Sequence, residues 1–117
     1  NIWVVGVGGI NKFDGSTLTS QLTTADTDTL YSIWGSDANN IWAVGRAGNI
    51  HKYNGSTWTS QPSNVTGSLR DIWGIDANNI WAVGDSGTII KYNGSTWTSQ
   101  TSNTTQVLRE VWGADAN

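Results

Sequence analysis

The chain has 117 residues, a net charge of −3 and no cysteine. Its six basic residues are scattered, so they assemble no basic patch, and nucleic acid and anionic membrane are not expected partners. The missing thiols remove disulfides, thiolate catalysis and Cys-type zinc sites together. Charged residues are 13 % of the chain, roughly half the usual share. Thr, Ser, Asn and Gly fill the gap, as in turns and strand faces. Eight Trp must bury area in a core or at an interface. One domain with a single core is expected at this length. No apolar run approaches the roughly 18 residues that span a bilayer. The chain starts at Asn and no leader is read in it, so a mature product, an excerpt of a longer chain or an engineered array is expected. The low charge and lack of oxidisable side chains suggest an extracellular or cell-surface protein.

Internal repetition decides the organisation. Asn1, Asn40 and Asn79 each begin the string Asn-Ile-Trp-x-Val-Gly, 39 residues apart both times, so three units fill the chain: 1–39, 40–78 and 79–117. The second and third units agree at 28 of 39 positions. The first has drifted, lacking one residue near Val7 and regaining one between Gln21 and Leu30. Turn signals cut the third unit into four short runs. Ile80–Gly84 is small, β-branched and aromatic, and Asp85-Ser86-Gly87 breaks it. Thr88–Tyr92 follows and ends at Asn93-Gly94, a strong hairpin signal because both residues tolerate positive φ. Thr96–Thr101 is the third run. After a polar stretch comes Leu108–Trp112, then the turn Gly113-Ala114-Asp115-Ala116-Asn117, which matches Gly74–Asn78 and Gly35–Asn39. No window carries a 3.6-residue apolar period, so no helix is expected. Each unit predicts a four-stranded antiparallel meander. Such a sheet cannot bury both faces alone, and stacking the repeats side by side buries them.

In the third unit, Trp-x-Val-Gly-x-x-Gly-x-Ile-x-x-Tyr-x-Gly-Ser-Thr-Trp runs from Trp81 to Trp97, followed by Leu-x-x-Val-Trp-Gly-x-Asp to Asp115. This pattern resembles the blades of bacterial secreted β-propellers related to the Asp-box type. The second unit matches from Trp42 to Asp76, and the first with Phe13 for Tyr and Leu18 for Trp. The resemblance implies an all-β fold, a β-propeller with three four-stranded antiparallel blades per chain. Leu69–Asp76 would be an innermost strand, Ile80–Gly84 the second, Ile89–Tyr92 the third and Trp97–Gln100 the outer one. The Asp-box itself is degenerate, as Tyr53-Asn54-Gly55-Ser56-Thr57-Trp58 and its copy from Tyr92, but keeps its role as the turn between the third and fourth strands. Sialidase-like activity would need an arginine cluster and a nucleophilic Tyr paired with a carboxylate. No such set is found, so neither enzymatic activity nor a cofactor is expected. A β-trefoil or β-prism, also built from three repeats of four strands, is the alternative fold and would make the chain a complete monomer.

The phase of the repeat is cut between innermost and second strands. The terminal strand Leu108–Asp115 has no second strand beside it in its own chain, and Ile2–Gln21 has no innermost strand before it. Three blades would leave an open arc with bare edges. Head-to-tail self-association is therefore expected, through Ile2, Trp3, Val4 and Val5 of one copy and Leu108, Val111 and Trp112 of another. Two chains would give six blades and three would give nine.

Other candidate chemistry is sparse. Arg70-Asp71 and Arg109-Glu110 recur beside Trp73 and Trp112, and could bind a sugar through stacking and charged hydrogen bonds. Trp58 and Trp97 are further stacking candidates. The plainer reading is a repeated salt bridge between adjacent blades with Trp as core. His51, the only histidine, has no motif partner for a metal. Asp37, Asp76 and Asp115 sit in Asp-Ala-Asn strings that read as Asx turns, since one Asp and one Asn fall short of a calcium shell. The Gly-rich strings Gly6–Gly9, Gly45–Gly48 and Gly84–Gly87 read as hairpin turns. Sequons at Asn54, Asn64, Asn93 and Asn103 arise by chance in so Thr/Ser/Asn-rich a chain. The function expected is a self-assembling, non-enzymatic scaffold or interaction module; the alternative is a multivalent glycan-binding protein with sites at blade junctions.

Overall fold

The computed structural model describes residues 1–24 and 28–117. The stretch between Gln21 and Leu30, where the first unit regains its missing residue, includes residues 25–27 and so falls partly outside the described residues. Among the described residues, eleven strands form three antiparallel sheets, with two single 3-10 turns at Arg46–Gly48 and Asp85–Gly87 as the helical content. The first sheet contains β1 (Ile2–Gly6), β2 (Gly9–Phe13) and β3 (Leu18–Thr23). The second contains β4 (Leu30–Asp37), β5 (Asn40–Gly45), β6 (Ile50–Tyr53) and β7 (Trp58–Gln61). The third contains β8 (Leu69–Asp76), β9 (Asn79–Gly84), β10 (Ile89–Tyr92) and β11 (Trp97–Gln100). Each sheet is a meander in chain order. The last strand of one unit pairs with the first strand of the next, so β4 lies beside β5 and β8 beside β9.

Turn chemistry fixes these meanders locally. Asn54 Oδ1 accepts from the amides of Ser56 and Thr57 at 2.9 Å each, and Asn93 repeats the arrangement with Ser95 and Thr96. The Tyr53 and Tyr92 hydroxyls close the same turns by donating to the Gly55 and Gly94 carbonyls. At the opposite end Asp37 and Asp76 accept from the Asn39 and Asn78 amides at 2.8 Å, which are the expected Asx turns. The missing residue near Val7 also has a local outcome. β1 and β2 are joined by the two residues Val7-Gly8, with Gly8 at φ 88°, where the other two sheets use a 3-10 turn.

Among the described residues, the single core expected from chain length is replaced by two. The larger joins the second and third sheets, with Trp42, Val44, Ile50, Leu69, Ile80, Ile90 and Trp97 among its members. The smaller joins the first and second through Ile10, Leu30 and Ala43, with Trp3, Val5 and Trp58 packed against it. Stacked repeats bury surface at each junction rather than at one centre. A β-trefoil pools the strands of all its repeats into one barrel, and these ladders do not do so.

One expected strand is unformed in the single chain, where it was expected to lack a neighbour. Leu108–Asp115 forms no ladder. It nevertheless runs along the third sheet, with the Leu108 amide on the Gly84 carbonyl at 2.9 Å and the Gly87 amide on the Gln106 carbonyl at 2.7 Å. A strand needs a neighbour that exchanges hydrogen bonds along its length. β4 and β8 find theirs in the segment that follows them, whereas Leu108–Asp115 has none.

Candidate functional site

The first sheet and the segment after β11 carry the most exposed large apolar side chains among the described residues. β1 is the edge of its sheet, although its equivalents β5 and β9 are flanked on both sides. Ile2 is 60 % exposed and Val4 45 %, whereas Ile41 and Ile80, at the position of Ile2, are 4 % and 0 %. Trp3 and Val5 are half-buried against the smaller core. At the other end Trp112 is 81 % exposed, while Leu108 and Val111 are half-buried.

A regular aromatic stack explains what these positions do elsewhere. On the second sheet Trp34 lies over Trp42 at 6.0 Å between ring centroids, and Lys52 covers the other side of Trp42 at 4.9 Å. On the third, Trp73 lies over Trp81 at 5.6 Å and Lys91 sits 5.0 Å from the Trp81 ring. Such cation–π contacts stabilise by about 0.5–1 kcal/mol where exposed. Trp34 and Trp73 each also touch a glycine one repeat further on. A Cβ at Gly74 would meet Trp34 at 2.8 Å, and one at Gly113 would meet Trp73 at 3.0 Å. On the first sheet Lys12 lies 5.4 Å from the Trp3 ring, and among the described residues no Trp stacks on Trp3 as Trp34 does on Trp42. Between the first and second sheets a cleft of about 620 Å³ opens, lined by Trp3, Lys12, Trp34, Gly35 and Tyr53 among others.

The charged candidates are engaged internally. Arg70 Nε bonds Asp85 Oδ1 at 2.8 Å and its Nη2 bonds Oδ2 at 3.1 Å, a bidentate pair within the third sheet rather than the expected bridge between neighbours. This pair lowers the Asp85 carboxyl pKa and raises that of the guanidinium, which also lies 4.8 Å from the Tyr31 ring on the second sheet. Asp71 is what links β8 to β4 and to the segment after β11. Its Oδ1 accepts from Ser32 Oγ at 2.6 Å and its Oδ2 from the Val111 amide at 2.9 Å. Arg109 and Glu110 are exposed. Trp73 is covered by Trp81. Trp97 is 3 % exposed and donates to Gln61 Oε1 at 3.3 Å, so it has no free face for a sugar. Trp58 is half-buried against Trp3 and Tyr53, its Nε1 buried with no hydrogen-bond partner among the described residues.

His51 pairs with Ala43 and Ser60 on the neighbouring strands. Burial pushes its pKa down, partly offset by Asp28. Among the described residues no three His, Asp or Glu side chains cluster closely enough to hold a metal ion. The Asp71 link was missed in the sequence because its partners lie 39 and 40 residues away; the repeat period was the signal that could have found it. No protein-family model matches the chain, and no curated protein matches it either.

Proposed function

We propose that this chain is a non-enzymatic repeat module, secreted or displayed at a cell surface, that associates head to tail with copies of itself into a closed β-propeller. The observation that supports the reading is that β1 and the segment Leu108–Asp115 match in repeat register. β1 offers an unpaired edge at a position that is central in the other sheets. Leu108–Asp115 is laid along the third sheet without a ladder of its own. Both expose large apolar side chains, and long bare edges invite pairing with another chain. The in-chain pairs Ile72↔Ala82 and Trp73↔Trp81, moved on by one repeat, set Val111 opposite Val4 and Trp112 opposite Trp3 of the next copy. The sheets also pack in series, with one core per junction, as blades do and as the sheets of a prism around a common core do not. Two copies then close a ring of six blades; three would close nine. A head-to-tail contact must close or grow without limit.

Native mass by light scattering, at several concentrations, tests this. A mass twice 12.6 kDa is expected. A monomer at every concentration would overturn it, and three times that mass would point to nine blades. The register has its own check. The chain lacks cysteine, so a Val4→Cys, Val111→Cys variant should form a disulfide between chains under mild oxidation, because directly opposed strand residues lie within disulfide reach.

A further inference from the structure

We propose that the cleft between the first and second sheets is a socket for Trp112 of a second copy. This rests on the closure reading above and adds the side chain that anchors it. The inner-strand tryptophans make one repeated contact. Trp34 lies on Trp42 of its own sheet and covers Gly74 of the next inner segment. Trp73 does the same with Trp81 and Gly113. Each indole fills a corner with an aromatic wall and a floor where no side chain fits.

Trp112 is the third in the series, one repeat beyond Trp73, and it is 81 % exposed. The chain also has one empty corner of this kind. Trp3 stands where Trp42 and Trp81 stand, and Gly35 where Gly74 and Gly113 stand. Both line the same cleft of about 620 Å³. Gly74, under its indole, is buried, whereas Gly35 is exposed. Lys12 already lies 5.4 Å from the Trp3 ring, as Lys52 and Lys91 lie near theirs. The corner therefore has its wall, its floor and its cation, and lacks the indole. Among the described residues the first and third sheets share no core cluster, and Trp112 of a second copy, which stands one repeat on from Trp73, is the occupant proposed. Large aromatic side chains seated in a preformed pocket dominate association energies.

The test is the association constant, read by sedimentation over a dilution series. Trp112→Ala should raise Kd by about 30-fold or more. It should leave thermal unfolding of the dissociated chain unchanged, because the side chain is exposed there. Trp3→Ala should raise Kd similarly, and the double variant should be weaker by much less than the product of the two effects, since both remove one contact. Ile75→Ala, 42 % exposed and outside the cleft, should leave Kd within about threefold. Should Trp3→Ala fail to fold, Trp112→Phe replaces it, with a Kd between wild type and Trp112→Ala. Gly35 is no clean site for substitution, because a Cβ there already meets Ile41 Cγ1 at 2.9 Å. An assembled wild type whose Kd is unmoved by Trp112→Ala would overturn the socket and leave strand pairing standing. A wild type that is monomeric at every concentration would overturn closure and the socket together.

Discussion

The first sheet and the third begin on the same six-residue pattern, Asn-Ile-Trp-x-Val-Gly, and end up in different states. In the third sheet that strand is central, with β8 on one side and β10 on the other, and Ile80 is fully buried. In the first sheet it is an edge, and Ile2 is 60 % exposed. The hydrophobic pattern gives both strands the same tendency to be covered; the neighbours decide whether it is met. The outer half differs for a separate reason. In the second sheet Gln61 stands opposite Ile50 and reaches Trp97 Nε1 on the third sheet. In the first, a register shift after Ile10 puts Leu22 in that place. Gln21 turns back to Thr19 instead. Among the described residues Trp58 Nε1 is left buried without a partner.

The largest expected effect separates the two states of one residue. Ile80→Ala should cost about 2–5 kcal/mol in chemical denaturation, since it empties a fully packed position. Ile2→Ala, at the matching position, should cost less than about 0.5 kcal/mol where the chain is dissociated, and should approach the cost of Ile80→Ala where it is assembled. Equal costs in the dissociated chain would break the comparison.

A middle-sized effect is expected at Asp71, which ties β4 to the segment after β11 through Ser32 and Val111. Asp71→Ala removes two charge-assisted bonds from a half-buried group. The expected cost is about 1–3 kcal/mol, with faster hydrogen exchange at the Val111 amide. Retained protection there would mean that Leu108–Asp115 is held by other contacts.

Asp71 also marks how far the sequence is legible. The period is legible from recurrence every 39 residues, and the strand order, the Asn-Gly turns after β6 and β10 and the Asx turns at Asp37 and Asp76 can be read directly, because each rests on residues within a few positions of one another. The second and third sheets follow from that local information to within a residue or two at each strand end. The pairing of Arg70 with Asp85 across one hairpin is not local in that sense, and neighbouring units were the wrong place to look for it. The two-core layout and the unpaired Leu108–Asp115 are properties of stacking. A strand's own residues encode which face is apolar, and say nothing of whether a neighbour is present to cover it. The burial of Trp97, a candidate stacking residue, is of the same kind, since the preceding sheet covers it.

The smallest effect concerns the turn between the third and fourth strand positions, and it distinguishes the sheets by chemistry rather than by packing. In the first sheet the turn is held by Asp14, whose Oδ1 accepts from the Ser16 amide at 2.8 Å and the Thr17 amide at 2.9 Å. In the other two an Asn amide oxygen does the same work and does not titrate. The Thr17 and Ser16 amides and the Thr17 hydroxyl hold the Asp14 carboxyl below its ordinary 3.8. With a depressed folded pKa, the contribution is fully present above the unfolded value and is lost as pH falls through the folded one. Acidification below about pH 3.8 should therefore speed amide exchange at Ser16 and Thr17 before it does so at Ser56, Thr57, Ser95 and Thr96. Asp14→Asn should make the first turn as insensitive to acid as the other two. Asp37 and Asp76 are lowered in the same way by the Asn39 and Asn78 amides, so a global acid melt would blend all of these turns. Only the residue-resolved comparison isolates Asp14, and three turns loosening together over the same pH range would show that the first owes nothing to its carboxylate.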